Sequence, residues 1–399
     1  MRSSLLAVTL VSLNLSLARA EEPLVEKYLH AGQLARGEQV LESALTAAPG
    51  DDQLRFGLAV LQLVRGVERL GQSLYEYGCL SDNTNTPFLR IPIPRNPDPS
   101  EVTFADFRRV LDAFRADLAT VESTLADVKS KEVTLPLRLA DIRLNLTGRG
   151  DASERFLEIL KRLMGPGFRP HAGNHEFLVR FDRGDVAWLR AYCHLLMGLI
   201  DLSLSFDAEG SFDLNAEHQF ARPKHRFAGT AYEKLQRQDA ISQVVKVKDP
   251  ARLGHFRRHL LKVCELNRET WAFIRTEHDD DHEWLPHPKQ TGVLQIPVTN
   301  EMIDAWLSAV SEVEDLLEGR KVIPAFVIEL ITIPTKKGFN LRKFFEDPPD
   351  EIDSTRFRRD GFREKYLDDT RPDVNIMAFM RVFQVLQNPL GVGYAVWFN

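Results

Sequence analysis

The order of apolar and polar positions along this chain predicts helices far more often than strands. The clearest case follows Thr103, where Phe104, Phe107, Leu111, Phe114, Leu118, Val121, Leu125 and Val128 recur at steps of three and four. That spacing keeps all eight on one stripe of a helix, as in an antiparallel bundle or coiled-coil contact. Asp106 stands where it can cap the start. "VAWLRAYCHLLMGLI" is apolar nearly all round and predicts a buried helix from Val186 to about Phe206 at the centre of the main body. Asp182 or Asp185 is its expected cap. Helices are also expected over 153–164, 229–246, 250–276 and 299–318, the last with Ile303, Trp306, Val310, Val313 and Leu317 on one face and Gly319 as its stop. Strands are few. "EFLVRFD" alternates, and "TLPLRLADIRLNL" reads as strand or helix. "KVIPAFVIELITIP", residues 321–334, is β-branched and bounded by Pro, and "LGVGYAVWFN" adds a terminal strand. The expected fold class is mainly α: a helical bundle or array with a minor β element near 321–334.

"EPLVEKYLHAGQLARGEQVLESALTAAPGDD" predicts two short helices around Gly32 that stop at Pro49-Gly50. Tyr28, Gly32, Ala44 and Pro49 fall where a tetratricopeptide repeat has its aromatic, its turn glycine, its small second-helix residue and its closing proline, so the segment resembles that family. It departs at Gly37, where the family prefers Ala, and it lacks the Trp-x-x-Leu-Gly opening. A solenoid needs about three repeats to bury a continuous core. The resemblance spans fewer, so it implies a helical pair that caps or docks onto something else. Residues 79–100 then carry Pro87, Pro92, Pro94, Pro97 and Pro99, which deny both helix and central strand. With Phe88, Leu89 and Ile91 in it, this stretch reads as a strap over a surface more than as a free linker. The expected organisation is a signal peptide at 1–20, a repeat-like helical segment at 21–78, the strap at 79–100 and a main α-rich domain at 101–399.

Composition narrows the function classes. The 399 residues are 44% hydrophobic and 27% charged, the balance of a globular protein. "MRSSLLAVTLVSLNLSLARA" has a positive start, an apolar stretch and small residues before the cut, which predicts export to the periplasm or beyond. Later apolar runs are broken by charges well before 18 residues, so no membrane span is expected. The net charge is −6, and loss of Arg2 and Arg19 makes it −8, which argues against a phosphate-binding surface and so against nucleic acid as a partner. The local exception, "RFRRDGFREK", reads as an amphipathic surface segment with Phe357 and Phe362 turned inward. Three cysteines permit one disulfide; Cys79 with Cys264 is the pair to expect if one forms, and Cys193 reads as a buried small hydrophobe.

Three His pairs stand four apart: His171 and His175, His255 and His259, His278 and His282. That spacing lets a helix present two metal ligands on one face. "HAGNH" contains Gly and follows Pro, so it reads as loop, and two Arg inside "HFRRH" oppose cation binding. The segment "EHDDDHEWLPHP", residues 277–288, is the best remaining metal candidate. If the preceding helix continues through it, His278 and His282 share a face beside Asp281, a set suited to a divalent transition metal such as zinc. The competing reading is a solvated, carboxylate-rich helix end with Trp284 anchoring the loop to the core. "NLTGRGDASERFLE" matches a calcium loop at Asn145, Thr147 and Gly150, but Arg149 and Phe156 occupy ligand positions, so it reads as a turn. "GNHE" lacks the companion motifs of a metallophosphatase. G-x-S-x-G, P-loop and G-x-G-x-x-G motifs do not occur.

"FDRGDVAWLRAYCHLLMGLIDLSLSFD" and "EWLPHPKQTGVLQIPVTNEMIDAWLSAVSEVEDLLEGRK" are similar to an uncharacterised group of exported bacterial proteins, a resemblance over much of 135–345 that implies no particular activity. The expectation is an exported, non-catalytic protein without a cofactor that binds another protein or an envelope component. The alternative is a metal-dependent hydrolase with His278, Asp281 and His282 as ligands.

Overall fold

The computed structural model describes residues 22–81, 89–149, 154–164, 176–278, 280–330 and 335–385. The expected signal segment, His171, His175, Asp279 and the expected terminal strand lie outside them. Helices dominate: α1 Leu24–Ala31, α2 Leu34–Ala47, α3 Asp52–Glu76, α4 Phe104–Ala126, α5 Phe156–Met164, α6 Arg183–Ser205, α7 Glu209–Gln219, α8 Ala231–Gln243, α9 Pro250–Ile274 and α10 Asn300–Leu317. Four more follow: α11 Ala325–Glu329, α12 Leu341–Glu346, α13 Ser354–Asp360 and α14 Ile376–Val385. The fold is mainly α, as the apolar periodicity predicts.

Local chemistry sets the helix starts. Thr103 caps α4 by accepting from the Asp106 N–H at 3.1 Å, while Asp106 accepts from the Thr103 N–H at 2.9 Å. The cap is therefore Thr103, with Asp106 as its reciprocal partner. Asp182 and Asp185 make the same box at the head of α6. Each such cap is worth about 1 kcal/mol.

Packing then builds an up-and-down array. Arg69–Asp117 and Gln62–Thr124 join α3 to α4, and Glu122–Arg190 and Arg115–Asp201 join α4 to α6. Arg275–Asp304, Arg268–Glu314 and Trp306–Asn267 join α9 to α10. In each pair the sequence numbers run in opposite directions, so neighbours are antiparallel. The stripe of α4 faces the core, with Leu118, Val121 and Leu125 fully buried. Helix α6 is buried along most of its length, including Val186, Ala187, Ala191, Cys193 and Ile200, and occupies the predicted central place.

The N-terminal helical pair turns at Gly32, whose φ of +64° only glycine adopts without strain. It docks on the main body: buried Glu26 of α1 accepts from the Arg138 N–H at 2.7 Å and from its guanidinium at 2.8 Å. The departure at Gly37 also has a cause, since a Cβ there would lie 2.6 Å from both Leu61 and Tyr28. Of the Pro-rich stretch, residues 89–100 lie against the end of α3: Leu89 is buried, and Asn96 and Ser100 donate to the carbonyls of Tyr75 and Glu76.

The strands form short antiparallel pairs: β1 Leu135–Arg138 with β4 Leu178–Phe181, β2 Arg143–Leu144 with β3 Glu154–Arg155, β5 Val244–Lys246 with β7 Glu351–Asp353, and β6 Gly338–Phe339 with β8 Leu367–Asp368. The strand expected over 321–334 is corrected. Val322 and Ile323 make single bridges to Asp373 and Phe339, but residues 325–329 are helical. Pro324 is the reason: it has no N–H for a ladder, and its carbonyl accepts from Val327 and Ile328 to start α11. Residues 331–334 lie outside the described residues. Cys79, Cys193 and Cys264 are buried free thiols, so the Cys79–Cys264 pairing is not made. Among the described residues no helix is long and apolar enough to cross a membrane.

Gly37→Ala tests the packing of the N-terminal pair. Ala has the better helix propensity by about 1 kcal/mol, yet overpacking at this contact should lower stability by roughly 1–3 kcal/mol. The expected result is a lower urea midpoint at unchanged slope, and a raised midpoint would contradict the contact.

Candidate functional site

Helix α9 ends at Ile274, and the N–H groups of Arg275, Thr276 and Glu277 return to Trp271, Phe273 and Ile274 in a closing turn. It does not run on to 282, so His278 and His282 do not share a helical face. The chain instead folds back on itself. Asp280 accepts from the Thr291 N–H at 2.7 Å, Arg180 donates its N–H to the His282 carbonyl at 3.2 Å, and Val293 donates to the Glu283 carbonyl at 2.9 Å. His282 sits at φ +63°, a left-handed conformation uncommon for residues with a Cβ. This reversal carries Glu283 inward, to 5% exposure. Trp284 holds the loop against Phe181 and Trp188, with ring centroids 6.3 and 5.8 Å away.

Three segments thereby meet. Asp182 at the head of α6, Glu277 just past α9 and Glu283 in the loop each place a carboxylate oxygen within 4.8 Å of the other two. Asp182 also accepts from the N–H groups of Gly184 and Asp185 at 2.7 and 3.2 Å. Asp185 lies beneath, 4% exposed, accepting from the Asp182 N–H. Gln290 reaches Glu277 Oε2 at 3.4 Å, while Glu277 Oε1 is buried without a hydrogen-bond partner.

Like charges this close repel by about 3 kcal/mol per pair at an effective dielectric constant of 20. Burial first, then the charge of Asp182 and a hydrogen bond to it, then the charges of Glu283 and Asp185, push the Glu277 carboxyl up to about 9. Burial and the charges of Asp182 and Glu283 also hold Asp185 well above the usual carboxylate range. Such a cluster is relieved by keeping protons or by accepting a cation. Carboxylate oxygens alone suit calcium or magnesium rather than zinc. The cluster opens into a cleft of about 530 Å³ whose walls include Lys131, Arg180, Arg183, Phe273 and His278. Arg180 is held by Asp281 at 2.6 Å and Arg183 by Glu269 at 2.7 Å.

The residues expected as ligands are placed differently. His278 is exposed on the cleft wall. Asp281 gives one oxygen to Arg180 and the other to His282 Nδ1, 3.0 Å away. Among the described residues, the set of three ligand side chains that converges is Asp182, Glu277 and Glu283. Of the other motifs, His259 bonds to His194 rather than pairing with His255. Asn145 and Thr147 make a turn, with the Asn145 amide on the Arg149 carbonyl. Phe357 stacks on Phe362 at 4.8 Å, and Arg359 is held by Asp360. Sequence reasoning saw Asp182 only as a cap, and it weighed the middle of "EHDDDHE" while the two Glu at its ends carry the cluster. Comparison of the chain with protein-family models, curated proteins and solved structures finds no match.

The raised Glu277 has a signed consequence. A carboxyl whose folded value lies above its unfolded one stabilises the fold fully below the unfolded value of 4.5, and that contribution is lost as pH rises towards about 9. In chelator, the melting temperature should fall between pH 5 and 9. Glu277→Gln should flatten part of that fall and leave the protein more stable than wild type at pH 9, as read by thermal denaturation across the series.

Proposed function

We propose that this is an exported helical binding protein that holds one hard divalent cation, calcium foremost, between Asp182, Glu277 and Glu283, and engages a protein or envelope component at the cleft above it. The observation that carries the reading is the convergence of three carboxylates from separate segments, one of them with an orphaned buried oxygen. A cation there would neutralise the repulsion and tie the head of α6, the end of α9 and the Trp284 loop together. The charged start, apolar run and small residues of 1–20 support export. Outside the cytosol, sites with dissociation constants of roughly 10⁻⁴–10⁻³ M serve as calcium sites, and a small acidic cluster of this kind suits that range. The walls of the cleft mix acidic, basic and apolar side chains, which favours contact with a partner surface over a single small ligand. A hydrolase built on His278, Asp281 and His282 has less support, because Asp281 is already engaged by Arg180 and His282.

Calorimetric titration of the purified protein with calcium, magnesium and zinc tests this. One equivalent of calcium or magnesium should bind, and at a hundredfold excess over the dissociation constant it should add about 2.7 kcal/mol of stability. Glu283→Gln should abolish the uptake, and the double variant His278→Ala, His282→Ala should retain it. Binding of zinc alone, lost in the double His variant, would replace this reading with the hydrolase.

A further inference from the structure

A second titratable cluster lies midway along the contact between α6 and α9. His194 Nδ1 and His259 Nδ1 are 2.8 Å apart, with ring centroids at 5.1 Å. Each ring turns its other nitrogen to a carboxylate. His194 Nε2 lies 3.4 Å from Glu122 Oε1 of α4, and His259 Nε2 lies 3.5 Å from Asp201 Oδ2 of α6. Asp201 is completely buried; its Oδ1 accepts from Arg115 and Arg252 at 2.8 Å each, but its Oδ2 has no hydrogen-bond partner nearer than the imidazoles. His194 Nε2 is likewise buried without a closer partner.

Counting protons decides what this arrangement needs. The contact between the two Nδ1 atoms takes one proton, since two bare lone pairs at hydrogen-bond distance repel. If both rings are neutral, only one proton is left for the two Nε2 atoms. One carboxylate then faces a nitrogen lone pair inside the protein, an unsatisfied contact on both sides. A third proton turns all three contacts into donor–acceptor pairs. We propose that His194 and His259 form a proton-binding site, an imidazole–imidazolium pair clasped between Glu122 and Asp201, which makes the α4–α6–α9 junction sensitive to pH. The bookkeeping for one cycle is simple: one proton enters from solvent to the pair on acidification and returns to solvent on alkalisation, with no bond between heavy atoms changed.

The surrounding charges set how firmly that proton is held. From α4 the pair faces Glu122, Arg115 and Asp112; from α6, Arg190 and Asp201; from α9, Arg252, His255 and Arg258. Arg190 lies on Glu122, Arg115 on Asp201, and Arg252 on both Asp112 and Asp201. Four guanidiniums thus stand against three carboxylates, so the extra proton is held by its hydrogen bonds and not by a surplus of negative charge. That is the condition for a proton that can leave. The neighbouring acids agree with imidazole donors at both ends. The His194 imidazole, then Arg190, brings Glu122 down to about 2. Burial pushes Asp201 up, but His259, Arg115 and Arg252 outweigh it and leave it at about 2.

The test is direct observation of the ring protons. Long-range ¹H–¹⁵N correlation spectra of the full protein labelled at histidine, recorded from pH 5 to 9, should show both Nε2 atoms protonated and a shared Nδ1 proton at the acidic end, with one proton lost from the pair on alkalisation. His194→Gln gives a second readout in the same spectra: the shared Nδ1 proton signal should disappear. A pair carrying two ring protons throughout, or a shared proton signal that His194→Gln leaves unchanged, would overturn the proposal. So would stoichiometric zinc uptake at the two Nδ1 atoms. If the variant does not fold, the spectra of the wild-type chain still decide.

Discussion

The burial of α6 on both sides is the constraint on which this structure depends. A helix with Ala187, Ala191, Cys193 and Ile200 at or near zero exposure needs a neighbour against every face. Helices α4 and α9 supply them, and each runs antiparallel to α6. Arg190, His194 and Asp201 of α6 find their partners across those two contacts, where burial makes an unpaired polar group costly. Arg190 meets Glu122, Asp201 meets Arg115 and Arg252, and His194 meets His259. Removing one member of such a set leaves a buried charge uncompensated, which is far more damaging than deleting the set as a whole.

The same helix pair distributes its charge unevenly, and that unevenness makes the candidate site. Along the middle of α6, carboxylates and guanidiniums alternate and cancel. At its head four carboxylates, Asp182, Asp185, Glu277 and Glu283, gather beside the helix N-terminus. The positive end of the helix dipole and the amide groups of Gly184 and Asp185 favour the first of them. They do not suffice for the rest: burial first, then the neighbouring carboxylates, holds Glu277 and Asp185 above the usual carboxylate range. The guanidiniums nearest the cluster are turned away from it, Arg180 to Asp281 and Arg183 to Glu269. Protons or a cation must supply what side chains do not.

Particular residues show how far the sequence could be read. The stripe of α4, the all-round apolar α6, the stop at Gly319 and the turn at Gly32 were legible because periodicity and backbone preference act within a few residues. The anchoring role of Trp284 was legible because a large aromatic ring in a polar loop has few other places to go. The segment around 325–329 was misread because β-branched residues favour a strand locally, while Pro324 decides which carbonyls and amides find partners. Within "EHDDDHE" the number of acidic and imidazole side chains was visible, but not their direction. That direction follows from the end of α9 at Ile274 and the left-handed turn at His282.

By itself the sequence determined the mainly α class, the positions of most helices and the surplus of negative charge near 277–283. All of these arise from short-range stereochemistry and from composition, which need no knowledge of distant neighbours. Only the tertiary structure decided that Asp182 joins Glu277 and Glu283, that Asp281 is consumed by Arg180, and that His259 meets His194 instead of His255. Those choices depend on which helix faces lie against each other, and the pairing of faces is set by packing over the whole array. Electrostatic consequences fall off within a few ångströms, so a residue nearly a hundred positions away along the chain can matter more than the one beside it.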